Sequence, residues 1–239
     1  MNYLDLTLPC PAENLACDEA LLDEAEQHRG PGVLRLWESA THFVVLGYAN
    51  KVNEEVDAAA CRAQGIPILR RCSGGGTVLQ GPSCLNYSLV LGIDENPALH
   101  SITATNRFVM ERNARALAAL LDRPVTVEGH TDLATGQLKF SGNAQRRRRR
   151  WLLFHGTFLL DFDLGLLETL LLPPPRQPEY RRQRSHREFL TQLALPAESV
   201  KSALREAWGA TRPLTDLPHT EIGRLVTERY SRDDWNLKW

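Results

Sequence analysis

The stretch that most limits how this chain can fold is Arg70-Arg71-Cys72-Ser73-Gly74-Gly75-Gly76-Thr77-Val78-Leu79. Glycines, lacking a Cβ, let the backbone approach a ligand closely. Successive N–H groups in such a turn can face inward as an anion-binding nest. Arg70 and Arg71 supply guanidinium groups suited to bidentate contact with phosphate or carboxylate. The segment then runs straight into an apolar, β-forming stretch at Val78. A glycine triplet is most often only a tight or mobile turn, so the ligand reading needs support elsewhere in the chain. A Walker loop is excluded because Pro82 follows Gly81 where Lys and Ser or Thr would stand. A dinucleotide fingerprint is excluded as well, since no parallel βαβ rhythm surrounds the glycines.

Support comes from Lys139-Phe140-Ser141-Gly142-Asn143-Ala144-Gln145. The basic residues are nearly all arginine, lysine occurring only at Lys51, Lys139, Lys201 and Lys238. Lys139 therefore marks a place where lysine's chemistry, and not charge alone, is wanted. At 239 residues the chain can bury a full core as one domain, 1–239. A net charge of −1 weighs against nucleic acid as the main partner. No apolar run reaches membrane-spanning length, and the N-terminus has no charged-then-apolar leader. The five cysteines, Cys10, Cys17, Cys61, Cys72 and Cys84, form no C-x-x-C pair, and the seven histidines are dispersed. A reduced, cytoplasmic protein without a fixed metal site is expected.

Periodicity along the chain gives an α/β mixture. Asn14 is the expected N-cap of a helix to about His28, and Asn53 of a second helix that ends near Gly65. Short strands are expected at Val33 to Trp37, Phe43 to Leu46 and Ile66 to Leu69. From Leu85 to Leu91 the alternation puts Leu85, Tyr87, Leu89 and Leu91 on one face and Asn86 and Ser88 on the other. Ser101 starts a long helix to about Leu121. Strands return at Leu138 to Ser141, with Lys139 and Ser141 on one face, and at Trp151 to Leu160, with His155 and Thr157 together. The run Arg146 to Arg150 between them reads either as a solvated hairpin turn or as a basic loop beside the site. Pro173-Pro174-Pro175 breaks the chain before helical stretches at Ser185 to Leu193, Ala197 to Trp208 and Thr220 to Tyr230.

Four motifs now stand in order: Asn14-Leu15-Ala16-Cys17-Asp18-Glu19-Ala20-Leu21-Leu22, the arginine–glycine stretch, the Lys139 motif and His155-Gly156-Thr157. Together they resemble the lipoate–protein ligase family, in order and spacing, from about residue 10 to about residue 195. The resemblance implies an α/β (α+β) fold, a mixed and largely antiparallel sheet flanked by helices, like that of class II synthetases and biotin–lipoate ligases. It implies that lipoate and ATP, with Mg²⁺, give lipoyl-adenylate, and that the acyl group passes to a lysine of a lipoyl-domain acceptor. Lys139 is the catalytic residue this resemblance implies. Arg70, Arg71, Ser73, Gly74, Gly75, Gly76, Thr77, Val78 and Leu79 are the implied binders of nucleotide phosphate and acyl carbonyl. Asn86, Ser141, Gly142, Ala144, His155, Gly156 and Thr157 complete the implied pocket. The acyl tail needs an apolar tunnel, expected at Leu15, Trp37, Val78 and Phe154.

The chain departs from the family pattern in three places. It has no C-terminal accessory domain, which the family pattern pairs either with a separate accessory polypeptide or with an enzyme that only transfers, for example from preformed lipoyl-adenylate. Gln80-Gly81-Pro82 stands where many ligases carry His-Asp. Cys72 falls inside the glycine loop, which raises the alternative of an octanoyltransferase working through a thioester. Val127 to Leu133, where related transferases carry their nucleophile, has no cysteine. Biotin ligase and a non-enzymatic scaffold are the remaining alternatives.

Overall fold

The chain forms an eight-stranded and a three-stranded sheet, and the computed structural model describes residues 1–239. In chain order the strands are β1 (Asn2–Asp5), β2 (Val33–Glu38), β3 (Phe43–Leu46), β4 (Ile68–Arg70), β5 (Val78–Gln80), β6 (Cys84–Gly92), β7 (Thr126–Glu128), β8 (Asp132–Thr135), β9 (Leu138–Arg147), β10 (Trp151–Leu159) and β11 (Arg212–Pro213). The large sheet has the order β11-β1-β2-β6-β10-β9-β8-β7 and the small one β4-β3-β5. Pairing is antiparallel except for β1 with β2 and β11, and β3 with β4.

The helices are α1 (Pro11–His28), α2 (Val52–Glu55), α3 (Ala58–Ala63), α4 (Ile102–Leu121), α5 (Leu164–Leu170), α6 (His186–Phe189), α7 (Ala197–Trp208), α8 (His219–Leu225) and α9 (Asp233–Asn236). Strand alternation sorts the core into layers. Leu34, Leu36, Leu85, Tyr87, Leu89, Phe154 and Phe158 face α4 and α7, meeting Val109, Met110, Leu117, Val200 and Leu204. Val33, Trp37, Val90 and Leu153 face the other way, toward Leu15, Ala16, Leu22 and Ile222 of α1 and α8. A third cluster, with Val44, Leu46, Leu79, Leu167 and Leu170, fixes the small sheet to α5.

Several helix ends differ from expectation. Cys10, not Asn14, is the N-cap of α1: Pro11 presets the first helical φ, and Glu13 accepts the Cys10 N–H at 3.1 Å. Asn14 sits inside the helix, bonding Leu8 and Cys10 carbonyls. The expected helix from Asn53 is two short ones, because Val56 breaks out to bridge Leu171. Asp57 caps the second of them through Ala60 N–H. Gly65 does lie just past that helix, at φ +65°. Ser101 caps α4 as expected. Only His186–Phe189 is helical in the stretch from Ser185 to Leu193, since Leu190 leaves to bridge Lys139.

The arginine run is the β9–β10 hairpin turn, exposed at Arg149 but pinned on either side of it. Arg146 and Arg147 extend β9, and Arg147 donates to Leu99 O at 2.7 Å. In the turn, Arg148 pairs with Asp23 at 2.7 Å and Arg150 with Glu26, clamping the hairpin to the acidic side of α1.

Candidate active site

Between the two sheets lies a cavity of about 1030 Å³. Its floor is the large sheet, where register sets side chains in rows across the strands. One row is Trp37, Asn86, Thr157 and Gly142; the next is Arg35, Ser88, His155 and Ala144. Gln80 reaches over from the small sheet, donating to Thr157 Oγ1 at 2.6 Å, and Thr157 donates on to Asn86 Oδ1 at 2.7 Å.

The second row rests on a buried ion pair. Arg35 donates to Asp18 Oδ1 at 2.6 Å and to Asn14 Oδ1 at 2.6 Å. Burial alone would raise the Asp18 carboxyl. Arg35, then His155 and Ser88, outweigh burial and hold it below its ordinary value. His155 Nδ1 lies 3.8 Å from Asp18 Oδ2, and His155 Nε2 lies 2.5 Å from Ser73 Oγ. The core is thereby tied to the glycine loop.

Gly74, Gly75 and Gly76 are exposed, and their N–H groups donate to no group of the protein. Arg71 lies beneath them, buried, and burial pulls its guanidinium down to about 10, so it stays charged at neutral pH. It donates to Gly74 O at 2.6 Å, Gly76 O at 2.8 Å and Ser73 Oγ at 3.1 Å. Gly75 stands at φ +87°, and a Cβ there would lie 2.9 Å from Arg71 Nη2. At Gly156 a Cβ would collide with the Asn143 side chain.

Lys139 faces the loop from β9. Its Nζ is 2.8 Å from Asp132 Oδ1, and the Tyr180 hydroxyl donates to Asp132 Oδ2 at 2.7 Å. Tyr180 belongs to the segment from Pro174 to Leu190, which lines the cavity opposite the sheet with Gln177, Arg181, His186 and Phe189. Burial, helped by Arg181, pulls His186 down to about 4 and keeps it neutral at pH 7.

Of the residues singled out by sequence, Arg71, Gly75, Gly76, Thr77, Val78, Leu79, Asn86, Lys139, Ser141, Gly142, Ala144, His155, Gly156 and Thr157 all line this one cavity. Arg70, Ser73 and Gly74 do not. The Arg70 guanidinium donates to Gly47 O, Asn50 O and Trp235 O, while Asn236 and Trp235 bond its backbone. It thus clamps the C-terminal segment to the 47–50 turn, and Tyr48 N–H of that turn holds Ser73 O at 2.8 Å. Ser73 lies behind the loop on His155. Leu15, Trp37 and Val78 line the cavity, but Phe154 does not: its parity on β10 sends it to the opposite core, beside Leu89 and Leu152. Glu55, Asp132, Asn143 and Tyr180 also line the cavity and were not expected there. Asp132 was findable as the counter-charge Lys139 needs. Tyr180 comes from an irregular segment that carries no periodic signal.

Residues 10–207 match the family model of the lipoyl protein ligase A/B catalytic domain. A chain of Aeropyrum pernix that bears the name lipoate-protein ligase A is 32% identical over 240 residues, spanning 93% of this chain and 86% of its own. The octanoyltransferase LipM of Geobacillus kaustophilus is 27% identical over 273 residues, spanning 99% and 98%. A solved structure of a bi-partite lipoate protein ligase and its E2 lipoyl domain from Thermoplasma acidophilum gives a TM-score of 0.85 at 25% identity, covering 99% of this chain and 95% of that one. The chain therefore belongs to the lipoyl protein ligase A/B catalytic domain family.

Proposed function

We propose that the protein is a lipoate–protein ligase. A lipoate carboxylate oxygen bonds to the α-phosphorus of ATP as the bond to pyrophosphate breaks. The ε-amine of an acceptor lysine then attacks the acyl carbonyl, loses a proton, and AMP leaves. The carrying observation is that the Lys139 ammonium and the glycines whose amides are free, Gly75 and Gly76, border one cavity. Bringing carboxylate and phosphate together needs fixed positive charge and donors, the kind of preorganised stabilisation that dominates catalysis. Lys139 would leave Asp132 to contact the carboxyl oxygen and the α-phosphate. The amides of Gly75 and Gly76 would take phosphate oxygens, with buried Arg71 supplying charge beneath them. The row from Gly142 to Trp37 crosses three strand spacings, about 14 Å, which suits an octanoyl-length chain leading away from Lys139. Mg²⁺ would travel with the triphosphate and neutralise it, Asp132 being the carboxylate beside Lys139.

The acceptor would be a lipoyl-domain protein, and a separate accessory polypeptide would work with this chain. A relative in Thermoplasma acidophilum is named lipoate-protein ligase A subunit 1, which supports a two-part enzyme. No helix is long and apolar enough to cross a membrane. Five free thiols suit a reducing compartment such as the cytoplasm.

The test is to mix the protein with ATP, Mg²⁺, lipoate and a lipoyl domain and to weigh the acceptor. A mass gain of one lipoyl group with pyrophosphate release is expected. Lys139→Ala should lose at least about a hundredfold in rate while remaining folded, its melt lowered only by the loss of the Asp132 pair. Near-normal turnover in that variant would remove Lys139 from its role.

Similarity to octanoyltransferases favours a second reading, acyl transfer through a thioester. That route needs a thiolate at the cavity. Cys72 and Cys84 are not among its lining residues, and burial pushes both up to about 12. Replacing all five cysteines by serine should therefore spare most of the ligase activity, and an octanoyl adduct on either thiol would reverse the preference.

A further inference from the structure

The nest formed by the glycine loop is partly filled by the protein itself. The amides of Gly74, Gly75 and Gly76 donate to nothing in the protein, but the next in line, Thr77 N–H, donates to Glu55 Oε2 at 3.2 Å. The same oxygen accepts Asn50 Nδ2 at 2.7 Å. Glu55 comes from the end of α2. It is 8% exposed and lines the cavity beside Thr77 and Arg71. It forms no direct ion pair, so its charge is held by hydrogen bonds and by the nearby arginines, and Arg71 feels it in turn. A buried carboxylate without a paired cation is costly to keep, and this one points an oxygen at a nest amide. That is the position an anionic ligand's oxygen would take. Its backbone matters as well: Glu55 O accepts Leu172 N–H at 3.0 Å, at the start of the chain that crosses the cavity.

We infer that Glu55 is an internal stand-in for the substrate's oxyanion: it holds the Thr77 amide in the free protein and yields it to a phosphate or carboxylate oxygen of the ligand. Glu55 then sets a threshold for occupancy, because any anion entering the nest must displace or tolerate a like charge. The inference rests on the glycine loop being the oxyanion site of the proposed reaction, but not on acyl transfer following.

The full-length protein and its Glu55→Gln variant would be titrated calorimetrically with pyrophosphate and, separately, with octanoate. Gln keeps the shape, and its side-chain oxygen can still accept both Thr77 N–H and Asn50 Nδ2, so only the charge is removed. The variant should bind about tenfold more tightly whichever ligand takes the amide, pyrophosphate if the phosphate does so and octanoate if the carboxylate does. Unchanged, weaker or absent binding of both ligands would overturn the inference. Should the variant fail to fold, NMR of the wild type decides: the Thr77 backbone amide and the Asn50 side-chain amide should both shift on saturation, and unmoved signals would overturn it. A protein that binds these anions but never lipoylates would sink the ligase reading and leave this titration readable.

Discussion

At Gly75 the backbone holds φ +87° directly over the Arg71 guanidinium, whereas Gly76 has nothing within 4 Å of where a Cβ would stand. The two positions should separate under mutation. Gly75→Ala should cost about 1–2 kcal/mol from the left-handed backbone alone and abolish binding of lipoyl-adenylate by pushing Arg71 off its carbonyls. Gly76→Ala should leave the melting temperature near wild type, since its Cβ meets no protein atom, and weaken affinity only through the methyl it adds on the ligand side of the loop. Thermal melts with calorimetric titration check both, and equal damage at both positions would mean the loop acts as a unit. Lys139 was legible from the scarcity of lysine and the motif around it. The adjacent arginines were not separable, because one residue of parity at the end of β4 decides that Arg70 turns to the C-terminal segment and Arg71 to the loop.

Among the elements, β6 was read correctly because its alternation is strict: Asn86 and Ser88 face the site row, and Leu85, Tyr87 and Leu89 the core. α4 and α7 also stood out, one by its serine cap and both by apolar periodicity. The starts of α1 and α2 were misread: asparagine is a good cap in isolation, but Asn14 is used to hold Arg35 and Asn53 lies inside its helix. The joint between α1 and β2 makes a firm prediction. Arg35→Met would strand the Asp18 carboxylate in the core and should cost about 3–5 kcal/mol in urea unfolding. Adding Asp18→Leu should recover most of that loss. A single variant as stable as wild type would show that the pair carries no net weight.

For the whole molecule, acid should weaken the fold before any core residue is touched. His186 drops from its ordinary 6.5 to about 4 on folding, so between those values the unfolded chain takes a proton that the folded one refuses. Stability should therefore fall as pH drops from 6.5 to 4. His186→Gln should flatten part of that slope, and an unchanged slope would remove His186 as its source; Asp18, held below its ordinary 3.8, adds its own loss only at still lower pH. The layered α/β architecture was legible from alternation and the family motifs. The small sheet's role as the cavity roof was not, because its strands meet through long connections without local signal.

The clamp at Arg70 has a kinetic side. It joins β4 to Trp235, 165 positions along the chain, and through the 47–50 turn it fixes Ser73 and the loop. A contact of that span closes only after the intervening chain has been gathered in, whereas β9 and β10, neighbours across a short turn, can zip early. A refolding chain should regain its strand circular dichroism first and its affinity for anions later, with a delay set by the time this distant closure takes.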